Sequence, residues 1–409
     1  MSTAAQTTAI DRNAILGVSP RLVVDPESVS DAAAALRSFA GDKLAVAFVG
    51  GATDLELGAP PTRLDVVLRT SKLSHIVEYA PSDQIVAVEA GMTLAALQQQ
   101  LAAQGQTLAI DPPFPERATV GGIVAANAFG PRRARYGSAR DLVIGITVVR
   151  ADGTVARGGG KVVKNVAGFD LPRLFCGSLG TLGLIAEVIF RLHPLPAKSA
   201  TVVFDGLSVP EARALSRSAL DARLEPVAVA ALPDNPPGRY RLAFRFDGFP
   251  PGVRHQTSRL LGVAGRSGER LEGNAAAALW TRHDQIRTAG DVRVKAAFPP
   301  ARLEPVEVAL RALADALNEG SLILYPTLGF AFASGRLSDA RAVASALESA
   351  RAAVAPAHGS AVLTAAPPAL RERVDVWGPT PSAFQVMRRL KAEFDPDSRL
   401  APGRFVGGL

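Results

Sequence analysis

Clusters of glycine and small polar residues are where this chain's residue types and spacing point to chemistry. The first is Gly50-Gly51-Ala52-Thr53-Asp54, directly after a run that reads as a strand, KLAVAFVGG. Successive small residues leave backbone N–H groups unobstructed, so such a turn can cradle a phosphate, with Thr53 as an added donor. A plain tight turn accounts for these five residues as well. The second cluster begins at Ala118 and reads ATVGGIVAANAFGPRRARYG. Its Gly121-Gly122 pair lies between Thr119-Val120 and small residues ending at Asn127. We read it as a loop that lets backbone approach a ligand, with Thr119 and Asn127 as polar contacts. The third runs from Gly158 as GGGKVVKNVAGFDLPRLFCGSLGTLG. There Ser178, Gly180, Thr181 and Gly183 form a tight loop feeding a strand from Leu184.

Several chemistries are excluded by what is absent. The Gly158–Lys161 stretch has no following Ser or Thr and no G-x-x-x-x-G-K frame, so it is not a P-loop. GSLGTLG spaces its glycines by three and does not match G-x-G-x-x-G, so a Rossmann dinucleotide site is unsupported. One cysteine, Cys176, rules out an internal disulfide, a thiolate zinc site or a self-contained iron–sulfur cluster. The five histidines (75, 193, 255, 283 and 358) do not pair at metal-ligand spacing, so no metal site is expected.

The elements that must hold these clusters divide the chain into three zones. Residues 1–196 alternate β-branched runs with Gly-rich turns: RLDVVL, QIVAVEAG, TLAI, LVIGITVVR, GTVARGG and LIAEVIFRL read as strands. A helix over Thr93–Gln104 has Thr93 as N-cap, Leu94, Leu97 and Leu101 on one face, and Gly105 as C-cap. HPLPAK, from His193 to Lys198, reads as a linker. Residues 197–379 read as an α+β unit, with helices near 210–222, 305–318 and 339–354. Its strands VAVAAL, RLAFRF and SLILY would form a small sheet covered by helices. NPPGRY and GFPPG mark loops. In residues 380–409, Thr380-Pro381 predicts an N-cap with proline at the first helical position. Phe384, Met387 and Leu390 give that helix an apolar face, and it stops at Asp395-Pro396 before a non-helical ending, LAPGRFVGGL.

A length of 409 residues with 48% hydrophobic and 20% charged residues is a globular composition with room for two or three cores. The net charge of +7 comes from arginines spread along the chain, so nucleic-acid binding is unsupported. The arginine, alanine, glycine and proline bias looks like coding from a GC-rich, bacterial genome. MSTAAQTTAIDR lacks the form of a secretory signal, and no apolar run reaches the roughly 18 residues of a spanning helix. We expect a soluble, cytoplasmic protein.

Together the three clusters resemble the flavin-binding domain of the vanillyl-alcohol-oxidase/PCMH superfamily. GGIVAANAFGPRRARYGSARDLVIG, KVVKNVAGFDLPRLFCGSLGTLGLIAEV, DVWG and LKAEFDPDSRLAPGRFVGGL are similar to the E subunits of glycolate oxidases (glycolate dehydrogenases). The likeness is strong over about residues 20–196, good in the last forty and weak between. It implies an α+β fold: a PCMH-type FAD-binding domain of two α+β subdomains, an α+β cap over the isoalloxazine, and a C-terminal helix and tail returning to the flavin domain. Carried over, Gly50, Gly51, Ala52, Thr53 and Asp54 would hold the pyrophosphate. Thr119, Val120, Gly121, Gly122 and Asn127 would line the diphosphate and ribityl chain, and Gly183 and Ile185 would lie near the adenine. Lys164 and Asn165 belong to the matching motif without a fixed contact. Neither of the first two loops offers a His or Cys for a covalent tie, and Cys176 reads as core, so the FAD would be noncovalent.

The resemblance further implies an FAD-dependent oxidoreductase acting on CH–OH groups. It would be a subunit oxidising glycolate to glyoxylate and passing electrons to a non-oxygen acceptor. A second flavin subunit and an iron–sulfur subunit would be its partners, and through them it would sit peripherally at the inner membrane. Related flavin subunits carry a His-x-Gly-Asp-Gly-Asn-x-x-His type segment in the cap, and this chain does not. His358-Gly359-Ser360 is the only vestige, and a solvated loop histidine explains it better. Arg404 is a candidate for the substrate carboxylate, and equally a surface residue or a partner of the FAD phosphate. No catalytic base can be named, so the lone chain is expected to bind FAD without being reduced by glycolate. Two other readings stay open: a free-standing flavin dehydrogenase for a hydroxy acid or sugar, and a non-catalytic assembly subunit with a degenerate flavin site.

Overall fold

The computed structural model describes residues 13–160 and 169–409, and the fold is α+β. The first strands, β1 (Leu22–Val24), β2 (Val46–Val49) and β3 (Val66–Arg69), form a parallel sheet in the order β1-β3-β2. A parallel pair needs a crossover. Helix α1 (Val29–Gly41) supplies it, started by Ser28, whose side chain accepts from Asp31 N. Its Ala32, Leu36 and Phe39 pack on Val46, Val66 and Leu68, and also on Val149 and Leu184 of the next sheet.

That second sheet is antiparallel: β4 (Ile76–Ala80), β5 (Ile85–Glu89), then, after the two-residue β6 (Gln106–Thr107), β7 (Val143–Val149), β8 (Val155–Gly159) and β9 (Leu184–Arg191). Its order is β4-β5-β9-β7-β8. Between β5 and β7 the chain forms α2 (Leu94–Ala102), α3 (Val120–Ala126), α4 (Arg133–Tyr136) and α5 (Ala139–Leu142), and α6 (Leu171–Phe175) precedes β9. Leu94, Leu97 and Leu101 of α2 and Val120, Ile123 and Val124 of α3 bury against Val86, Val88, Val188 and Phe190. Thr93 caps α2 as expected, accepting from Ala96 N. The helix closes at Ala103, however, and Gly105 turns left-handed two residues later.

Local chemistry overrode several expectations. TLAI is a strand only at β6, which pairs with β10 (His193–Pro194), so the expected linker begins as a strand. The segment 197–379 carries a large sheet, not a small one. It has eight antiparallel strands: β11 (Lys198–Leu207), β12 (Ala228–Asp234), β13 (Arg239–Gly248), β14 (Glu269–Leu271), β15 (Val292–Ala297), β16 (Asn318–Tyr325), β17 (Phe330–Arg336) and β18 (Ser360–Ala365), in the order β14-β11-β13-β12-β16-β17-β15-β18. GFPPG is not a loop throughout. Its prolines open α8 (Pro250–Val263), because a first helical turn needs no N–H from them.

One face of this sheet is covered by α7 (Val209–Asp221), α8, α10 (Leu303–Asp315) and α11 (Ala340–Val354). Period-two alternation sends Ala230, Leu232, Ile323, Tyr325 and Phe332 to the opposite face. There they meet α9 (Gly273–Thr288) and Phe129, a residue from the first half of the chain. After a single turn, α12 (Pro368–Arg371), the last helix, α13 (Phe384–Phe394), starts at Ala383 and not at Thr380-Pro381. Phe384, Met387 and Leu390 are half-buried. The tail then returns to the first sheet, where Ala401 N donates to Val46 O at 2.8 Å and Val46 N to Arg399 O at 2.8 Å.

Candidate functional site

Beyond the end of β2 lies an open trough, walled by three glycine-bearing segments and the tail. Gly50, Gly51, Ala52, Thr53 and Asp54 all line it. Their glycines are required by packing more than by ligand approach. A Cβ on Gly50 would lie 2.2 Å from Thr119 Oγ1, and one on Gly51 1.7 Å from Arg117 O. The left-handed residue of the turn is Ala52, at φ 58°.

The second predicted loop is a helix, α3. Thr119 is its N-cap, accepting from Gly122 N at 3.3 Å, and Asn127 closes it at φ 48°. Small residues make this turn possible where two backbones nearly touch: Gly121 N donates to Ala90 O at 2.8 Å, and a Cβ on Gly121 would lie 2.6 Å from that of Ala90. Gly121 and Gly122 both line the trough. A Cβ on Gly122 would meet only Thr119 Oγ1, at 3.1 Å, so it would enter the open space. Thr119 and Val120 are buried and stand off the trough wall, while Asn127 lines a neighbouring cavity. Gly183 and Ile185 close the far wall, after a loop in which Thr181 Oγ1 donates to Ser178 O at 2.7 Å. Lys164 and Asn165 lie outside the described residues.

Arg404 is neither a surface residue nor freely mobile. It is buried on the trough, and its Nη2 donates to Leu55 O at 2.8 Å and Leu57 O at 2.7 Å. Its Nη1 is buried without a hydrogen-bond partner among the described residues. Burial, and then Arg371 nearby, brings its pKa down to about 10, so it stays a cation at neutral pH. An unpaired buried donor beside a glycine-walled trough suits an electron-rich, phosphate-bearing ligand such as FAD.

Thr53, Asp54 and Ala126 also line a second cavity, so the two spaces meet at these residues. The second cavity is formed against the eight-stranded sheet and holds three cations the sequence reading missed: Arg287, Arg293 and Lys295. Arg287, on α9, donates to Phe129 O at 2.5 Å and lies 4.0 Å above the Phe332 ring. Arg293 pairs with Glu56. Among the described residues Lys295 has neither a hydrogen bond nor an ion pair, and burial followed by repulsion from Arg287 brings its amine down to about 8. Such a cavity suits a small carboxylate. The only sequence signal was the alternation in VRVKAA, apolar then cationic, in a strand that was not recognised.

On a separate cavity shared with Asp111, His283 is buried, its Nε2 2.9 Å from Tyr325 OH and its Nδ1 2.9 Å from Asp284 Oδ1. Burial lowers its pKa. Asp111 accepts from Arg132 N at 3.0 Å, and burial pushes its carboxyl up to about 6. His358 is exposed on a left-handed turn and borders neither space. Cys176 packs against the core of the five-stranded sheet, and burial pushes its thiol up to about 12. Among the described residues no three His, Cys, Asp or Glu side chains converge as metal ligands.

Residues 20–159 match the FAD binding domain family. This stretch contains two of the trough's glycine segments. Curated relatives include glycolate oxidase subunit GlcE of Escherichia coli (strain K12), 37% identical over 39% of this chain and 46% of its own length. D-lactate dehydrogenase of Archaeoglobus fulgidus is 38% identical over 43% and 41%, and mitochondrial D-2-hydroxyglutarate dehydrogenase of Bos taurus 34% over 46% and 34%. The chain thus spans less than half the length of each. A solved structure of alkyldihydroxyacetonephosphate synthase superposes on 94% of this chain and 77% of its own with a TM-score of 0.73. At 17% identity this likeness is one of fold. Among the described residues no helix is long and apolar enough to cross a membrane.

Proposed function

We propose that the chain is a noncovalent FAD-dependent dehydrogenase of a small 2-hydroxy acid, acting as the FAD-binding subunit of a glycolate dehydrogenase. One observation carries the reading: a glycine-walled trough meets a cation-lined cavity at Thr53, Asp54 and Ala126. When bound, FAD supplies the oxidant. Gly122 gives its diphosphate room beside the Gly50-Gly51 turn, Arg404 donates to it, and Arg287 and Arg293 draw the substrate carboxylate into the second cavity. We divide the chain into a flavin domain (1–196), a cap (197–379) and a returning C-terminal segment (380–409).

With Cys176 its only cysteine, the chain has no thiolates for a cluster, so electrons pass to an iron–sulfur partner and a second flavin subunit. The GlcE likeness supports this assembly. A non-catalytic assembly role is the second reading, favoured by Phe129, which fills part of the sheet face that a substrate would use. The visible spectrum of the purified chain, before and after anaerobic glycolate, tests both. A flavin band near 450 nm that bleaches supports the enzyme; a colourless chain leaves the assembly role.

A further inference from the structure

Lys295 is the one cation on the second cavity that has no hydrogen-bond or ion-pair partner among the described residues. Its position follows from β15. Val292, Val294 and Ala296 alternate into the core beneath the helices, which turns Arg293 and Lys295 to the opposite face. Charged groups face Lys295 from each neighbouring element: Arg287 from α9, Arg133 from α4, Asp54 from the turn after β2, and Arg293, paired with Glu56, on its own strand. The Phe129 ring lies 5.9 Å from its Nζ.

We propose that Lys295 is the base that takes the hydroxyl proton of a 2-hydroxy acid bound where the trough meets the second cavity, an inference that rests on the function proposed above. The O–H bond breaks toward the Lys295 amine, which becomes an ammonium. The C–H bond breaks with its electron pair leaving as hydride to the flavin, and the carbinol carbon becomes the carbonyl of a 2-oxo acid. Arg287 and Arg293 hold the carboxylate, while burial, with Arg287 and Arg133 nearby, favours the neutral amine of Lys295, because a further buried positive charge there is unfavourable. An amine near 8 is within the range of an effective base.

Other titratable groups are worse placed. His283 has both ring nitrogens engaged and 1% exposure. Asp111 borders a different, smaller cavity. Asp54 reaches both spaces, but it is exposed and solvated, and its charge would oppose the substrate carboxylate. A base within the chain would allow reduction by the hydroxy acid without a partner's residue, the opposite outcome to the one expected from sequence.

The test compares the FAD-loaded wild type with Lys295→Arg, which keeps the charge but does not deprotonate, and Lys295→Met. Anaerobic flavin bleaching by glycolate and by D-lactate is followed by stopped flow from pH 6 to 10. The wild-type rate should rise with pH to an inflection near 8. Both variants should retain FAD, lose at least about 100-fold in rate and lose the inflection. Separately, ¹³C NMR of the reductively methylated chain should show one lysine titrating near 8, missing from both variants. Full bleaching by Lys295→Arg, or an inflection unchanged in either variant, would overturn the base alone. Wild type bound to FAD but inert to both acids would overturn the dehydrogenase reading, and the base with it.

Discussion

Lys391 Nζ lies 2.6 Å from Asp395 Oδ2, and both side chains are shut away from solvent. The same ammonium donates to Thr181 O at 2.9 Å and Leu400 O at 2.8 Å. Asp395 in turn accepts from Arg399 N and Leu400 N. One buried cation therefore joins the loop that leads to Gly183 with the tail that leads to Arg404, which are two walls of the trough.

Breaking that pair should release both walls. Asp395→Asn leaves the Lys391 ammonium without its counter-ion, which costs about 3–5 kcal/mol for a buried pair. We expect a lower midpoint in urea and weaker FAD retention. Lys391→Met/Asp395→Leu together should recover part of the stability, because no charge is left stranded. Denaturation curves and flavin content of the three proteins decide it, and an unaltered single mutant would remove the pair from this role.

The neighbouring glycines of α3 should fail in different ways. Gly122→Val puts its side chain into open trough, so the chain should fold and stay colourless. Gly121→Val drives a side chain into Ala90, so its melting temperature should fall before any ligand is considered. Circular dichroism melts and FAD titrations separate the two. Equal melting temperatures would contradict the packing given for Gly121.

Arg404→Met should weaken FAD binding at least tenfold and cost about 1–3 kcal/mol. It leaves the Leu55 and Leu57 carbonyls, otherwise held by Nη2, without that donor. Fluorescence titration of the flavin-free protein measures the affinity. An undiminished affinity would show that the free Nη1 does not face the cofactor.

Replacing Lys295 should stabilise the flavin-free chain, with a defined dependence on pH. Its folded pKa, about 8, lies below the ordinary 10.5. Between those values the unfolded chain binds more protons, so native stability rises with pH through the window. Below about 8 both states are protonated and the burial penalty is full. Lys295→Met should therefore gain about 1–3 kcal/mol at pH 7 and progressively less toward pH 10. A gain independent of pH would point to packing instead of charge.

Cys176 should resist iodoacetamide at pH 8 in the folded chain, since its thiol is pushed up to about 12 and the thiolate is the nucleophile. The same sample tests the flavin linkage. Acid precipitation should leave the yellow colour in the supernatant, and colour in the pellet would mean a covalent bond.

The legible parts of the fold were those with strong local signals. β2, β5, β7 and β9 are β-branched runs, and α2 is announced by the cap Thr93. α9 was missed because GNAAAALWTRHDQIRT has no clean apolar face, and β15 because RVKAA pairs small residues with cations. At the site the glycines were readable but their reason was not: Gly50, Gly51 and Gly121 make room for Thr119, Arg117 and Ala90, contacts that exist only after folding. Arg287 carried no local signal and Lys295 only the alternation of β15, because the strand order β16-β17-β15-β18 and the insertion of Phe129 are what bring them to Asp54.

The trough draws its walls from Gly50, Gly122, Gly183 and Arg404, so synthesis reaches its last wall long after its first. A ribosome-bound chain can complete the three-stranded and five-stranded sheets, since domains fold as units during translation. It cannot complete the trough before Ala401 has docked beside Val46. On the proposed function, flavin loading would follow synthesis, and yellow colour would report a polypeptide made and folded through residue 404.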